Sequence, residues 1–162
     1  MATTTITPDQ DAVVSEIRIA APPERVFQAL TNAGELKIWF NNPECPAKFW
    51  EMDARLGGRY GYATAKGSVV VNTVSEFECS GEITEYDPPR SLAYTWIANW
   101  HDDSARRTVV RWELTPKSGG THVKVTHSGL SNESIARKDY SGGWPGVVES
   151  LKTFVETGRA AV

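Results

Sequence analysis

Apolar and polar residues alternate along most of this chain, and the spacing widens to three or four residues at only two places. Alternation predicts half-buried strands and the wider spacing predicts helices. The first strand is predicted over 13–20, with Val13, Ser15, Ile17 and Ile19 on one face and Val14, Glu16 and Arg18 on the other. Pro22-Pro23 stops it and opens a helix carrying Val26, Phe27 and Leu30. Leu36, Trp39 and Phe40 predict a second short helix after Asn32-Ala33-Gly34, and residues 41–51, with Pro43 and Pro46, read as a loop. From Gly57 the period is two. Tyr60 and Tyr62 share a face, and residues 68–86 suffice for two strands or one bent strand, with Gly81 at a bulge. The turn Asp87-Pro88-Pro89-Arg90 leads to Leu92, Tyr94 and Trp96 on the next strand. After a charged loop at 101–106, two further strands place Val110, Trp112 and Leu114, then Val123, Val125 and His127, on their inner faces.

The wider spacing returns at the end, in Trp144, Val147, Val148, Leu151, Phe154 and Val155. Pro145 suits a first helical turn and Gly158 a left-handed cap. Residues 129–143 are expected to connect to this helix, with a helical turn near 133–140. The predicted order is strand, two short helices, about six strands and one long helix. That is an α+β domain, an antiparallel meander of about six to seven strands curved around the final helix. Such a sheet leaves a cavity where the helix does not fill its concave face. Residues 1–11, Thr-rich and polar, are expected to form a flexible tail before a single domain at 12–160.

The chain has 162 residues, 40% hydrophobic and 23% charged, enough for one substantial core. Its net charge of -3 argues against a nucleic-acid or anionic-membrane partner. No apolar run is long enough to span a membrane, and the N-terminus lacks the pattern of a signal peptide. Cys45 and Cys79 show neither metal spacing nor a partner motif, which suits reduced thiols and a cytoplasmic location. No cofactor is expected.

Aromatics are the richest chemical resource: six Trp, five Tyr and five Phe. Trp39, Phe40, Phe49, Tyr60, Tyr62 and Phe77 fall on the helix pair and the elements around the expected cavity. Tyr94, Trp96, Trp112 and Trp144 fall on its inner strands and helix. With His127 they are the candidate ligand contacts of a mostly apolar pocket. An inward His127 serves as a hydrogen-bonded core residue, or as a general base if it lines the cavity. His101, Asp102 and Asp103 read as a solvated loop rather than a metal site, and His122 as exposed. Arg59 and Arg111 are expected outside. Glu82 and Glu85 fall on opposite faces of a regular strand, which sends one of them inward. No nucleophile elbow, phosphate-binding glycine loop or His-Glu-x-x-His motif occurs, so no catalytic residue is assigned.

Several stretches in order carry a family resemblance. They are Ile19-Ala20-Ala21-Pro22-Pro23-Glu24-Arg25-Val26-Phe27, Trp39, Gly57-Gly58-Arg59-Tyr60 and Gly81-Glu82-Ile83. Pro88-Pro89-Arg90-Ser91-Leu92, Trp112-Glu113-Leu114, Gly120-Thr121 to Gly129 and Gly143-Trp144-Pro145 through Gly158 follow. Together they resemble the START-like (SRPBCC) superfamily, in the branch related to the C-terminal domain of the Hsp90 ATPase activator. The resemblance implies a helix-grip fold. That fold hosts lipid carriers, hormone-type receptors, polyketide cyclases and co-chaperone domains, so function must come from the site. The leading expectation is a non-catalytic domain that binds a small hydrophobic or amphipathic molecule. The alternatives are a chaperone-interaction module and a small cyclase or aromatase using His127 and tyrosine hydroxyls. Nothing here corresponds to the activator's N-terminal domain, so a chaperone partner is not expected. An exposed edge strand or a pocket rim could support a homodimer.

Overall fold

One antiparallel sheet of eight strands and three helices build the computed structural model, which describes residues 1–160. In chain order these are β1 (Thr3–Ile6), β2 (Val13–Ile19), α1 (Pro23–Thr31), α2 (Ala33–Trp39), β3 (Ala47–Met52), β4 (Arg59–Thr64), β5 (Glu78–Asp87), β6 (Ser91–Ala98), β7 (Thr108–Lys117), β8 (Gly120–Ser128) and α3 (Ser134–Thr157). The sheet order is β1-β2-β8-β7-β6-β5-β4-β3. From β3 to β8 each strand pairs with the next in sequence, as a meander requires, and β2 closes against β8. The helix-grip architecture is therefore present, with eight strands where six or seven were expected.

Alternation explains the central strands. Val13, Ser15, Ile17 and Ile19 of β2 are buried, as are Val110, Trp112 and Leu114 of β7 and Val123, Val125 and His127 of β8. α3 crosses this inner face. Its buried stripe runs Ala136, Tyr140, Trp144, Val148, Leu151 and Phe154, steps of four and three that keep one side of a helix against the sheet. Gly158 ends the helix at φ 75°, a left-handed conformation that glycine adopts without a Cβ penalty. Lys152 Nζ donates to the Arg18 carbonyl and Ser150 Oγ to the Trp39 carbonyl, which fix α3 over β2 and α2.

Five expectations are corrected. Residues 3–6 of the expected tail form β1, paired with β2, because an extended Thr-rich segment can complete an open sheet edge. Part of the expected 41–51 loop is the opposite edge strand, β3, where Pro43 and Pro46 precede the pairing and do not interrupt it. The irregularity of β5 lies between Ile83 and Glu85, not at Gly81. Gly81 instead permits a close approach, since a Cβ there would sit 1.8 Å from the Thr95 carbonyl oxygen. The same irregularity keeps both glutamates off the inner face: Glu82 is exposed, and Glu85 pairs on the outer side with Arg111 and Ser91. Finally, α3 begins at Ser134 and runs through Gly142-Gly143 and Pro145 without a break. Pro145 is thus an interior proline, and the Ser141 carbonyl lacks its usual helical N–H partner.

Candidate functional site

Between α3, the end of α2 and the far half of the sheet lies a cavity of about 490 Å³. Sequence-local causes place its walls. The C-terminal turn of α2 contributes Trp39 and, at its cap, Phe40. β4 and β6 contribute Tyr62 and Trp96 from their inner faces. The segment between β4 and β5 brings Phe77, and α3 brings Tyr140 and Trp144. Trp50 stands behind this wall, stacked on Tyr62 with ring centroids 4.5 Å apart and its indole N–H donated to the Phe40 carbonyl. Glycines shape the opening. Gly143 and Gly146 of α3 line it, and a Cβ at either would meet no atom within 4 Å.

Of the expected contact residues, Trp39, Phe40, Tyr62, Phe77, Trp96 and Trp144 line this cavity. Five do not. Tyr60 is buried in the sheet, where its hydroxyl donates to the Thr95 carbonyl. Tyr94 and Trp112 are core residues joined by an indole N–H to hydroxyl bond of 2.9 Å. Phe49 points to the outer face of the sheet, beside Glu51, Arg59 and Glu78, because β3 places Trp50 inward and its neighbours outward. His127 is fully buried behind Trp96 and Trp144.

The hydrogen bonds of His127 define its state. Thr108 Oγ1 donates its one proton to the Trp96 carbonyl, so His127 Nε2 must donate to Thr108 Oγ1, 2.7 Å away. Nδ1 then accepts from the Trp144 indole at 3.2 Å. Both ring nitrogens are satisfied in the neutral form. Burial also pushes the imidazole well below its usual pKa, with His101 adding to the shift. His127 is a structural pin here, with neither nitrogen free to act as a base.

Two groups that sequence reasoning missed are Tyr140 of α3 and His101 of the β6–β7 loop. Tyr140 hydroxyl accepts the Trp96 indole N–H at 2.9 Å and pairs with His101 Nε2 at 2.7 Å. His101 is therefore buried, not part of a solvated loop. It sits there because Glu133, at the N-terminus of α3 and without solvent exposure, accepts from Asp102 N, Asp103 N and Arg106 Nε. Burial opposes the Glu133 charge, but these donors outweigh it and hold its carboxyl below the usual range. Trp100, also in the cavity wall, is 5% exposed and its indole N–H has no acceptor. Asp139 stands at the mouth, where loss of surrounding water raises its carboxyl. Cys45 also lines the cavity, and its thiol and that of Cys79 are free and pushed up by burial. Both are protonated at neutral pH, and thus poor nucleophiles.

Among the described residues no group of three or more His, Cys, Asp or Glu side chains is placed to hold a metal. No described helix is long and apolar enough to cross a membrane. His122 pairs with Glu16 on the outer face.

Known structures share this architecture. Protein MLL2253 from Mesorhizobium loti is 28% identical with a TM-score of 0.71, over 90% of this chain and 96% of its own. Protein CV1439 from Chromobacterium violaceum is 25% identical with a TM-score of 0.75, over 90% and 98%. An AHSA1-like protein from Aeromonas hydrophila is 20% identical with a TM-score of 0.70, over 91% and 93%. No curated protein matches the chain. The sequence model of one family, described as activator of Hsp90 ATPase homolog 1-like protein, matches residues 20–156, and with the helix-grip architecture around the α3 cavity this establishes that the chain belongs to that family.

Proposed function

We propose that this protein binds a small hydrophobic or amphipathic molecule in the cavity beneath α3. The observation that carries the reading is the cavity itself. Its volume of about 490 Å³ falls within the usual span for small-molecule sites, roughly 300–1,000 Å³. Its walls are mainly apolar, with eight aromatic side chains among them, and Asp139 is the one charged residue. The wall is also rigid. Trp39 Nε1 donates to the Ala29 carbonyl, Trp96 Nε1 to Tyr140 and Trp144 Nε1 to His127, so three of the large rings are held in fixed orientations. A preformed apolar site of this kind binds without first paying to order its side chains.

Binding, rather than catalysis, is the reading these groups support. Of the two buried histidines, His127 has both nitrogens engaged and His101 is bonded to Tyr140 through Nε2, and the cysteine in the wall is held protonated. The test is native mass spectrometry of freshly purified protein, compared with the same sample after denaturation. A small molecule released on unfolding supports the reading, and its mass narrows the ligand class. A clean mass, together with failure of anilinonaphthalene sulfonate to bind with enhanced fluorescence, would rule it out.

A further inference from the structure

Asp139 is the one charged residue in the lining of the cavity beneath α3, and the fold gives it no counter-ion. None of the ion pairs among the described residues includes it. Its side chain keeps an exposed side at the mouth, yet partial loss of water raises its carboxyl and no neighbouring cation offsets that shift. A partly dehydrated anion is unfavourable until something pairs with it. The charge also acts on the cavity and not only on bulk solvent. Burial raises the phenols of Tyr62 and Tyr140, and the Asp139 carboxylate adds to both shifts. Both tyrosines are residues of the cavity wall.

The rest of the lining favours the same sign of ligand. No lysine, arginine or histidine is part of it. Rings from Phe40, Tyr62, Trp96 and Trp144 stand around the space, and an aromatic face attracts a cation through its quadrupole. A carboxylate or sulfonate at the mouth would instead meet a like charge with no basic group to offset it. Resting on the reading of this cavity as a ligand site, we propose that its occupant is an amphipathic amine, with a flat apolar body among the rings and a protonated nitrogen at the Asp139 carboxylate. Asp139 is then the residue that distinguishes such a ligand from a neutral molecule of the same shape.

The test uses a matched pair of probes, naphthylmethylamine and naphthylmethanol, which place an ammonium or a hydroxyl at the same point of one flat frame. Dissociation constants are measured at neutral pH and low salt for the wild-type chain and for Asp139→Asn. The ammonium is expected to bind the wild type about tenfold more tightly than the alcohol, the scale of one charge-assisted hydrogen bond. In Asp139→Asn that ratio should fall close to one, while affinity for the alcohol stays unchanged. Retained binding of the alcohol also shows that the variant is folded around its cavity. Added salt should shrink the wild-type preference. Ammonium and alcohol binding equally to the wild type would overturn the amine assignment and leave the cavity reading standing. A preference that survives in Asp139→Asn would overturn the role of Asp139. Binding of neither probe would count against the cavity reading itself and would overturn this inference with it.

Discussion

Trp144 donates its indole N–H to His127 Nδ1 at 3.2 Å, a bond that ties the middle of α3 to the end of β8. It requires a neutral imidazole, because a protonated ring would turn a donor toward a donor. The histidine is fully buried and its pKa is lowered well below 6.5. In the unfolded chain it takes up a proton near pH 6.5 and in the native chain it does not. Stability is therefore complete above that value and is lost as pH falls. His101, also lowered chiefly by burial, adds to the effect despite nearby Glu133, Asp102 and Asp103.

Urea unfolding between pH 7 and pH 5 should show this directly. The expected slope approaches about 1.4 kcal/mol per pH unit for each histidine kept neutral. The carboxylates held low, Glu133 and Glu85 among them, lose their contribution only below their ordinary range and so fall outside this window. His127→Gln should lower stability at pH 7 and flatten the profile. A wild-type profile flat from pH 7 to pH 5 would mean that the native protein accepts these protons.

Glu133 joins α3 to the β6–β7 loop through three donors, and it has no exposure to solvent. Glu133→Gln removes the charge that Arg106 faces and turns an amide N–H₂ toward backbone donors. A loss of about 3 kcal/mol is expected, as for other broken buried pairs. Arg106 is 31% exposed in its side chain and can rehydrate, so Arg106→Gln should cost less. The loop from Asp102 to Arg107 should also become a site of early proteolysis in Glu133→Gln. Equal stability of the two variants in urea would show that the carboxylate is not the organising group.

The elements that could be read from the chain are those whose pattern is local. β2, β7 and β8 bury alternate residues, as does the second half of β6, and that period is visible without any partner. β1 and β3 are edge strands with little burial, so their pairing comes from the neighbouring strand and leaves a weak mark in composition. The first half of α3 was hidden by Gly142-Gly143 and Pro145, residues that disfavour helix in isolation. The fourfold spacing of Ala136, Tyr140, Trp144 and Val148 was its available signal, and burial of that stripe outweighs the local preference. The site divides the same way. Inward rings on regular elements, such as Tyr62 and Trp96, were legible. Tyr140 and His101 were not, because their places depend on bonds between residues 31 to 44 positions apart in sequence.

Gly146 offers a case where stability and binding should part. Its Cβ would meet open space, so leucine can be added to the helix without a clash at the backbone. Replacing a helical glycine by a good helix former gains up to about 1 kcal/mol. The added side chain extends from the lining of the cavity mouth. Gly146→Leu should therefore melt at a higher temperature yet bind anilinonaphthalene sulfonate several-fold more weakly. Gly146→Ala should be stabilised and bind nearly as the wild type does. A leucine variant that binds like the wild type would show that ligands reach the cavity elsewhere.

Asp139 sets the charge of the same mouth. Partial loss of water beside the wall raises its carboxyl above the ordinary value, although the side chain keeps an exposed side. An anionic probe such as anilinonaphthalene sulfonate then meets a like charge. At a separation of several ångströms in partly wet surroundings, this repulsion is on the order of 0.7 kcal/mol, or about threefold in affinity. Asp139→Asn should bind the sulfonate about threefold more tightly at pH 7.5 and low salt, and added salt should shrink the difference. Lowering the pH should strengthen binding to the wild type as the carboxyl takes up its proton, at a higher pH than an ordinary aspartate would, and should change the asparagine variant less. Neutral fluorene should bind both proteins alike. If the sulfonate also binds both alike at every pH and salt concentration, the carboxylate does not face the bound molecule and the mouth lies on another side of α3.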